Sequence, residues 1–314
     1  MSATSVAEAP AGRAAGAPKS ETDRAKAERK LGWLLCAPAV IVMLAVTAYP
    51  VLYAVYLSLL RADLRFPNDR TWVGLNNYGT VLSSSLWWND VLHTVIITIV
   101  SVAIELVLGM ALAIVMHRAI FGRGLIRTSA LVPYGIVTVV AAFAWRFAWA
   151  KSVGGFVPKA LGFSFDPLDP THSFWNYVVV ILTEVWKTTP FMALLLLAGL
   201  TLVPEELHEA ARVDGASAWQ RFWRITVPLM KPAILVALLF RTLDAFRIFD
   251  SVFIISNGPN PKLETVSILG YNQLLNRLNL GLGSAISVLI FVCVALIALA
   301  FIKGFGLQTS GDRS

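Results

Sequence analysis

Charged residues are scarce in this chain: they make up 14% of its 314 residues, against about a quarter in an average soluble domain. Cysteine occurs only at positions 36 and 293, inside apolar stretches, so the sequence indicates neither a disulfide framework nor a cysteine metal site. The four histidines are scattered along the chain, and we predict no metal site. This composition does not fit an ordinary soluble domain.

The common catalytic and nucleotide-binding motifs are also missing. No G-x-x-x-x-G-K-[ST] sequence occurs, so the chain is not expected to bind ATP through a P-loop. H-E-x-x-H and G-x-S-x-G are absent too, and no nucleophile and base stand in a recognisable arrangement. We therefore expect a protein that is not an enzyme, and any chemical energy it uses must come from another subunit.

Long apolar runs dominate instead, with 57% hydrophobic residues and a mean hydropathy of +0.68. Residues 31–60 and 278–302 contain no charge, and crossing the hydrocarbon core takes about 20 helical residues. Further apolar blocks lie near 92–116, 127–149, 175–203 and 229–256. The sequence predicts an all-α polytopic membrane protein with six transmembrane helices, the first over 31–60 and five more within 92–304.

Lysine and arginine predict the orientation of these spans. Fifteen of the 26 basic residues lie in the N-terminal tail, the loop 117–127, the segment 204–232 and the C-terminal tail, and seven lie in the opposite loops. The positive-inside rule therefore places both termini in the cytoplasm and residues 61–91 in an extracytoplasmic loop. Residues 1–30 and 305–314 are predicted cytoplasmic tails, the first of them disordered. The net charge of +7 follows from this distribution and does not indicate nucleic-acid binding.

A polar segment, 204–228, separates the fourth and fifth apolar blocks on the cytoplasmic side. VPEELHEAARVDG predicts a short helix that begins at Pro204 and ends at Gly215, with glutamates in its first turn. ASAWQRFWRI predicts a second short helix, with Trp219, Phe222 and Trp223 on one apolar face. The alternative is an amphipathic loop that rests on the lipid surface.

The spacing Glu209-Ala210-Ala211, Gly215, Ile225, Pro228 resembles the EAA loop of binding-protein-dependent ABC importer permeases. Residues 240–259, FRTLDAFRIFDSVFIISNGP, resemble the fifth-span signature of the maltose-permease class of carbohydrate permeases. The resemblance implies the type I importer permease fold, in which the EAA loop is a cytoplasmic coupling helix that docks into an ATPase. The coupling residues that it implies are Glu209, Ala210, Ala211, Asp214 and Gly215.

The resemblance also implies partners and a substrate. These are a second homologous permease, an ATPase dimer that binds ATP and magnesium, an extracytoplasmic sugar-binding lipoprotein and the plasma membrane. Several stretches look closest to permeases of trehalose importers, so a disaccharide, trehalose, is the expected sugar. No cofactor is expected in this chain itself.

Eight ionisable residues fall within the predicted spans: Glu105, Arg146, Glu184, Lys187, Arg241, Asp244, Arg247 and Asp250. Each would cost roughly 3 kcal/mol at the bilayer centre, so most must face the bundle interior or a wet cavity. Asp244 with Arg247, and Glu184 with Lys187, share helix faces at a spacing of i, i+3. They could be structural ion pairs or could bind sugar hydroxyls, and Pro190 is expected to break the fourth helix beside them.

By position, the resemblance places sugar contacts on Glu184, Lys187, Thr188, Phe191, Phe240, Asp244 and Arg247. A proton-coupled secondary transporter, with the intramembrane acids as proton relays, is the alternative function. An intramembrane enzyme is a third.

Overall fold

The computed structural model describes residues 23–118, 123–258, 260 and 262–304. The chain divides into two compact units between residues 53 and 54. Among the described residues, the first unit is one helix from Asp23 to Tyr53, and the second unit contains all remaining elements. Strands are limited, in the described part, to β1 (Leu60–Arg61) and β2 (Thr71–Trp72), which pair antiparallel. The all-α prediction is confirmed.

Thirteen α-helices follow one another through the described residues. They are α1 (Asp23–Ser58), α2 (Asn76–Leu82), α3 (Ser85–Arg118), α4 (Arg123–Gly135), α5 (Thr138–Trp149), α6 (Phe156–Ala160), α7 (Ser173–Leu200), α8 (Glu205–Val213), α9 (Ala218–Arg221), α10 (Val227–Ala245), α11 (Asp250–Ile255), α12 (Val266–Tyr271) and α13 (Leu280–Gly304). A 3₁₀ turn covers Lys151–Val153, and π-helical turns cover Phe222–Thr226 and Asn272–Asn276.

Five helical stretches are long and apolar enough to cross a membrane: Arg29–Ser58, Ser85–Arg118, Ser173–Leu200, Ala218–Ala245 and Leu280–Gly304. A sixth candidate is a broken span, in which residues 128–135 and α5 meet at an angle of 90°. The described residues thus hold five spans, or six when the bent pair counts as one. The polytopic helical membrane fold is confirmed.

The ends of the spans differ from the predicted ends. Helix α1 begins at Asp23, so the prediction of a disordered tail was wrong for residues 23–30. That stretch, DRAKAERK, is rich in alanine, lysine, arginine and glutamate, all strong helix formers. The rest of the predicted N-terminal tail, and the C-terminal tail 305–314, lie outside the described residues.

The segment 61–91, a predicted extracytoplasmic loop, is more structured than a simple loop. It holds the end of β1, then β2 and α2, and α3 already begins at Ser85. Asp63 forms a backbone bridge with Asn279 at the start of the last span. The guanidinium of Arg65 donates to both carboxylate oxygens of Asp63 and lowers the pKa of this carboxyl to about 2. The backbone bridge joins this segment to the start of α13.

Two predicted spans are interrupted, and neither interruption is at Pro190. The third breaks between Gly135 and Thr138, and the fifth breaks between Ala245 and Asp250. Helix α7 runs unbroken through Pro190, so the predicted break there was wrong. In α7 the hydroxyls of Thr188 and Thr189 donate to carbonyls one turn earlier, at 2.7 and 2.6 Å. Membrane helices tolerate proline where hydroxyls and packed neighbours hold the backbone in this way.

The core of the second unit is the packing of α7 against α3 and α10. Met116, Met192, Leu196 and Met230 are almost completely buried there. Gly199 of α7 faces Ala233 of α10 so closely that an added Cβ would lie 2.3 Å from the alanine Cβ. Small residues at such crossings let two membrane helices approach each other.

We expect Gly199→Ala to lower the melting temperature of the purified permease, because the two Cβ atoms cannot occupy this crossing together. The double change Gly199→Ala with Ala233→Gly removes the opposing Cβ and is expected to restore most of the loss. Gly135→Ala is the matched control, since nothing lies within 4 Å of its added Cβ. Equal melting temperatures for wild type and Gly199→Ala would contradict the packing.

Candidate functional site: a charged cavity between broken spans

A cavity of about 560 Å³ lies where the interrupted spans meet α7. Its volume falls in the usual range of ligand pockets, about 300–1,000 Å³. Its polar and charged lining residues are Tyr134, Thr138, Glu184, Lys187, Thr188, Asp244, Arg247, Asp250 and Ser251, and its apolar ones are Ile136, Val137, Ile248 and Phe249. We call it the central cavity.

Both span interruptions border the central cavity. Residues 136–137, which join α4 to α5, form one part of its wall, and residues 247–249, which join α10 to α11, form another. Backbone that leaves the helical conformation at membrane depth is tolerated where protein or a wet cavity surrounds it. Broken helices of this kind are where transporters commonly bind their substrates, because freed backbone groups become available.

Arg241 stands behind the cavity wall with only 1% of its surface exposed. Its Nε and Nη2 donate to the two oxygens of Glu105, at 2.5 and 2.9 Å. Nη2 also donates to Glu184 at 3.0 Å, and Nη1 donates to Asp244 at 2.8 Å. The second oxygen of Glu184 accepts from Ser251 at 2.5 Å. One guanidinium therefore joins α3, α7 and α10, and through Ser251 also α11.

The same-helix ion pairs that the sequence suggested are not present among the described salt bridges. Asp244 and Glu184 pair with Arg241 instead of with Arg247 and Lys187. The planar guanidinium of arginine carries several N–H donors, so it can pair with carboxylates from different helices at the same time. The ammonium of Lys187 lies 5.6 Å from the centre of the Tyr134 ring, a cation–π arrangement.

This leaves two cations facing the central cavity. Within the described residues, neither Lys187 nor Arg247 forms a salt bridge, although both line the cavity. Glu184, in contrast, is held by Arg241 and Ser251. The wall thus presents N–H donors that are available to a ligand beside carboxylates that are already oriented.

The structure brings five of the seven predicted sugar contacts to this cavity: Glu184, Lys187, Thr188, Asp244 and Arg247. Phe191 is set back from it and stacks on Tyr134, with ring centroids 5.4 Å apart. Phe240 does not line it; it is 55% exposed and lies one turn before Asp244 on the same helix. The roles of these residues stay predictions.

The sequence patterns do not identify several residues of the site. Tyr134, Thr138, Phe249 and Ser251 line the cavity without a predicted role, and Glu105 and Arg241, which lie behind its wall, are predicted only as charges within spans. A signal existed for Tyr134, because Pro133 and Gly135 flank it and both disfavour a straight helix.

The polar segment 204–228 forms the first predicted helix. Helix α8 carries Glu209, Ala210 and Ala211, and Asp214 is its C-cap. Gly215 follows with a φ of +78°, and its N–H donates to the carbonyl of Arg212 at 3.1 Å. One side of α8 is exposed, and Glu209 and Ala210 are on it.

Ala211 does not share that exposed side. It is half-buried, and its carbonyl accepts from the N–H of Ala216 at 2.8 Å. On the inner side of α8, Nε2 of His208 lies 3.4 Å from the hydroxyl of Thr226.

The second predicted helix is not a separate element. Residues 218–221 continue through the π-turn Phe222–Thr226 into α10, so helix runs from Ala218 to Ala245. Ser217 and Gln220 form a capping box at its start. Pro228 lacks an N–H, and the wider π-turn before it lets the helix continue. The helix that starts beside α8 therefore ends at the central cavity.

Spans broken around a polar cavity, with a short helix between the fourth and fifth spans, define a membrane permease. The chain belongs to the family described as binding-protein-dependent transport system inner membrane component, whose sequence profile matches residues 78–305. It is a multi-pass subunit of an ATP-driven importer, and ATP is hydrolysed by a partner subunit.

Two relatives illustrate this membership, and one solved structure shares the fold. The chain is 54% identical over 301 residues to the trehalose transport system permease protein SugA of Mycobacterium tuberculosis (strain ATCC 25618 / H37Rv), covering 96% of this chain and 97% of SugA. It is 39% identical to the trehalose/maltose transport system permease protein MalF of Thermococcus litoralis, covering 88% and 94%. A chain of a bacterial ABC transporter that imports the acidic polysaccharide alginate shares the fold, with a TM-score of 0.74, 22% identity and coverage of 91% and 99%.

Family membership decides between the functions left open by the sequence. It supports an importer permease and gives no support to the proton-coupled secondary transporter.

Proposed function

We propose that this chain is a permease subunit of a trehalose importer and that the central cavity binds the sugar during transport. The similarity to SugA and MalF, both named for trehalose transport, supports the substrate class. The observation that carries the site is that Lys187 and Arg247 face the cavity without carboxylate partners in the described residues. Sugar hydroxyls can accept from these cations and donate to Asp244 and Glu184.

Trehalose crosses the membrane between this chain and a second, homologous permease. An extracytoplasmic sugar-binding lipoprotein delivers the sugar, and a dimer of ATPase subunits binds ATP and magnesium on the cytoplasmic side. The exposed side of α8, with Glu209 and Ala210, docks into the ATPase. Movement of α8 reaches the sugar because an uninterrupted helix from Ala218 to Ala245 links its neighbourhood to the cavity.

We expect Arg247→Gln to lower trehalose uptake about tenfold or more. Losing one charge-assisted hydrogen bond to the sugar removes about 1.5–3 kcal/mol of binding free energy. The measurement is uptake of radiolabelled trehalose in a strain that lacks the native gene, with the amount of assembled transporter determined in parallel.

The control for Arg247→Gln is Arg247→Lys, which keeps the charge and removes the planar fork. An intermediate uptake in this variant would indicate that charge and geometry both contribute. Wild-type uptake in Arg247→Gln, with normal assembly, would show that the cation does not bind the sugar.

Both termini are expected in the cytoplasm. The loops on the same side as the termini carry most of the lysines and arginines, and the positive-inside rule places such loops in the cytoplasm. A reporter that is active only in the cytoplasm, fused after Ser314, should be active, and the same reporter inserted at residue 69, in the outer segment, should be silent. The opposite pattern would reverse the proposed orientation of every span.

A further inference from the structure

A second cavity, of about 420 Å³, lies at the cytoplasmic ends of the spans and is not explained by sugar transport. Its ionisable residues are His117, Arg118, Glu205, His208, Arg212 and Arg221. We call it the cytoplasmic cavity. It is bounded by the ends of α3 and α7, by the inner side of α8 and by the start of the helix at Ala218.

The charge of this lining is strongly unbalanced. Three arginines face the cavity, and Glu205 is the single carboxylate among its lining residues. Within the described part of the chain, Arg118, Arg212 and Arg221 form no salt bridge. Two imidazoles add further hydrogen-bonding nitrogens. Several unpaired guanidinium groups around one space attract an anion with several acceptor oxygens.

Part of this lining is already positioned by the fold. Arg221 is half-buried, and its Nη1 donates to the carbonyl of Ala216 at 2.7 Å, which orients the guanidinium. His208 is half-buried against Thr226. Arg118 and Arg212, in contrast, are exposed lining residues whose guanidinium groups are accessible to a ligand. Apolar side chains complete the wall, among them Ile114, Leu200 and Phe222.

We propose that the cytoplasmic cavity binds a phosphate group. Arginine forks match phosphate oxygens in two-pronged hydrogen bonds, and a space of 420 Å³ beside an apolar wall is larger than a bare phosphate needs. The ligand is therefore a phosphate ester, carried either by an anionic lipid headgroup or by a soluble cytoplasmic molecule.

Occupation of this cavity would affect transport. A phosphate held by Arg118 of α3 and Arg212 of α8 connects a span to the helix proposed to dock into the ATPase. A ligand that binds one arrangement of these helices better than another shifts the population toward it. By reciprocity, the state of the ATPase then changes the affinity for the phosphate.

The test uses the complete transporter in nanodiscs without ATP and has two arms. The first compares discs of phosphatidylglycerol with discs of phosphatidylcholine, and counts retained lipids by native mass spectrometry. The second adds inorganic phosphate to phosphatidylcholine discs, against sodium chloride at equal ionic strength, and follows the melting temperature.

The cavity variant is Arg118→Gln with Arg212→Gln. The matched control is Arg224→Gln with Lys231→Gln, which removes two exposed charges of the same segment outside the cavity.

We expect wild type and control to bind phosphatidylglycerol, inorganic phosphate or both, and the cavity variant to bind about tenfold or more weakly. A response in the lipid arm alone assigns the site to a headgroup, and a response in the phosphate arm alone assigns it to a soluble ester. The proposal is overturned if neither probe binds, or if the cavity and control variants respond alike. It is also overturned if the cavity variant alone loses the ATPase subunit, because the arginines would then belong to the ATPase interface. None of these results depends on sugar uptake.

Discussion

Arg241→Met is expected to prevent most of the permease from accumulating in folded form. The substitution leaves Glu105 and Glu184, both buried in the bundle, without the guanidinium that bridges them. Breaking a buried ion pair by removing one partner costs about 3–5 kcal/mol, a large fraction of the stability of most folded proteins. The measurement is the yield and melting temperature of detergent-solubilised protein, by size-exclusion chromatography and thermal unfolding.

The triple change Arg241→Met, Glu105→Gln, Glu184→Gln tests the cause of that loss. It removes the three buried charges of the network, leaves the exposed carboxylate of Asp244, and nearly keeps the volume, and such replacements are often neutral for stability. Most of the folded yield should return, but sugar uptake should stay low because the orientation of Asp244 is lost. Wild-type stability in the single Arg241→Met variant would show that the carboxylates do not need the guanidinium.

Gly215→Val is expected to reduce stimulation of the ATPase by sugar-loaded binding protein by roughly tenfold or more. Residue 215 has a φ of +78°, where a β-branched side chain is a severe outlier, and any L-residue there costs about 1–2 kcal/mol or more. Nothing lies within 4 Å of an added Cβ, so the cost comes from the backbone alone. The turn that ends α8 must then change, and α8 loses its orientation. Stimulated ATP hydrolysis by the reconstituted transporter is the measurement.

Gly215→Asn is the matched control, because asparagine adopts the left-handed conformation more readily than other residues with a side chain. It should keep most of the stimulation and the full amount of co-purified ATPase. If the valine and asparagine variants both behave like wild type, the turn at Gly215 does not orient the coupling helix.

The number and the approximate positions of the spans were predictable, because a bilayer requires about 20 apolar residues per crossing whatever the neighbours. The breaks were not predictable in the same way. Pro133 and Gly135 disfavour a straight helix near the first break but do not fix where it falls, and the second break, after Ala245, is not marked by any proline or glycine. The departure from helix at both breaks depends on the helices that pack around the central cavity, which a local pattern does not contain. Pro190 was misleading for the opposite reason, since packing holds α7 straight.

The sequence predicts which charged residues form the site but not which of them form ion pairs. The cost of a charge in lipid requires Glu184, Asp244 and Arg247 to face inward, and they do line the cavity. The i, i+3 rule then identifies neighbours on one helix, whereas the strongest partner of Arg241 is Glu105, 136 positions away along the chain. Only the arrangement of α3 against α10 brings these two residues together.

The order of the charges along the chain has a consequence for biosynthesis. Glu105 and Glu184 both precede Arg241, the second by 57 positions. At about 5–20 residues per second, a ribosome needs roughly 3–11 s to make the interval. During that time both acids have been synthesised and their guanidinium has not. Until α10 supplies the missing cation, the carboxyl groups of α3 and α7 must therefore be protonated, hydrated or shielded from lipid by the insertion machinery.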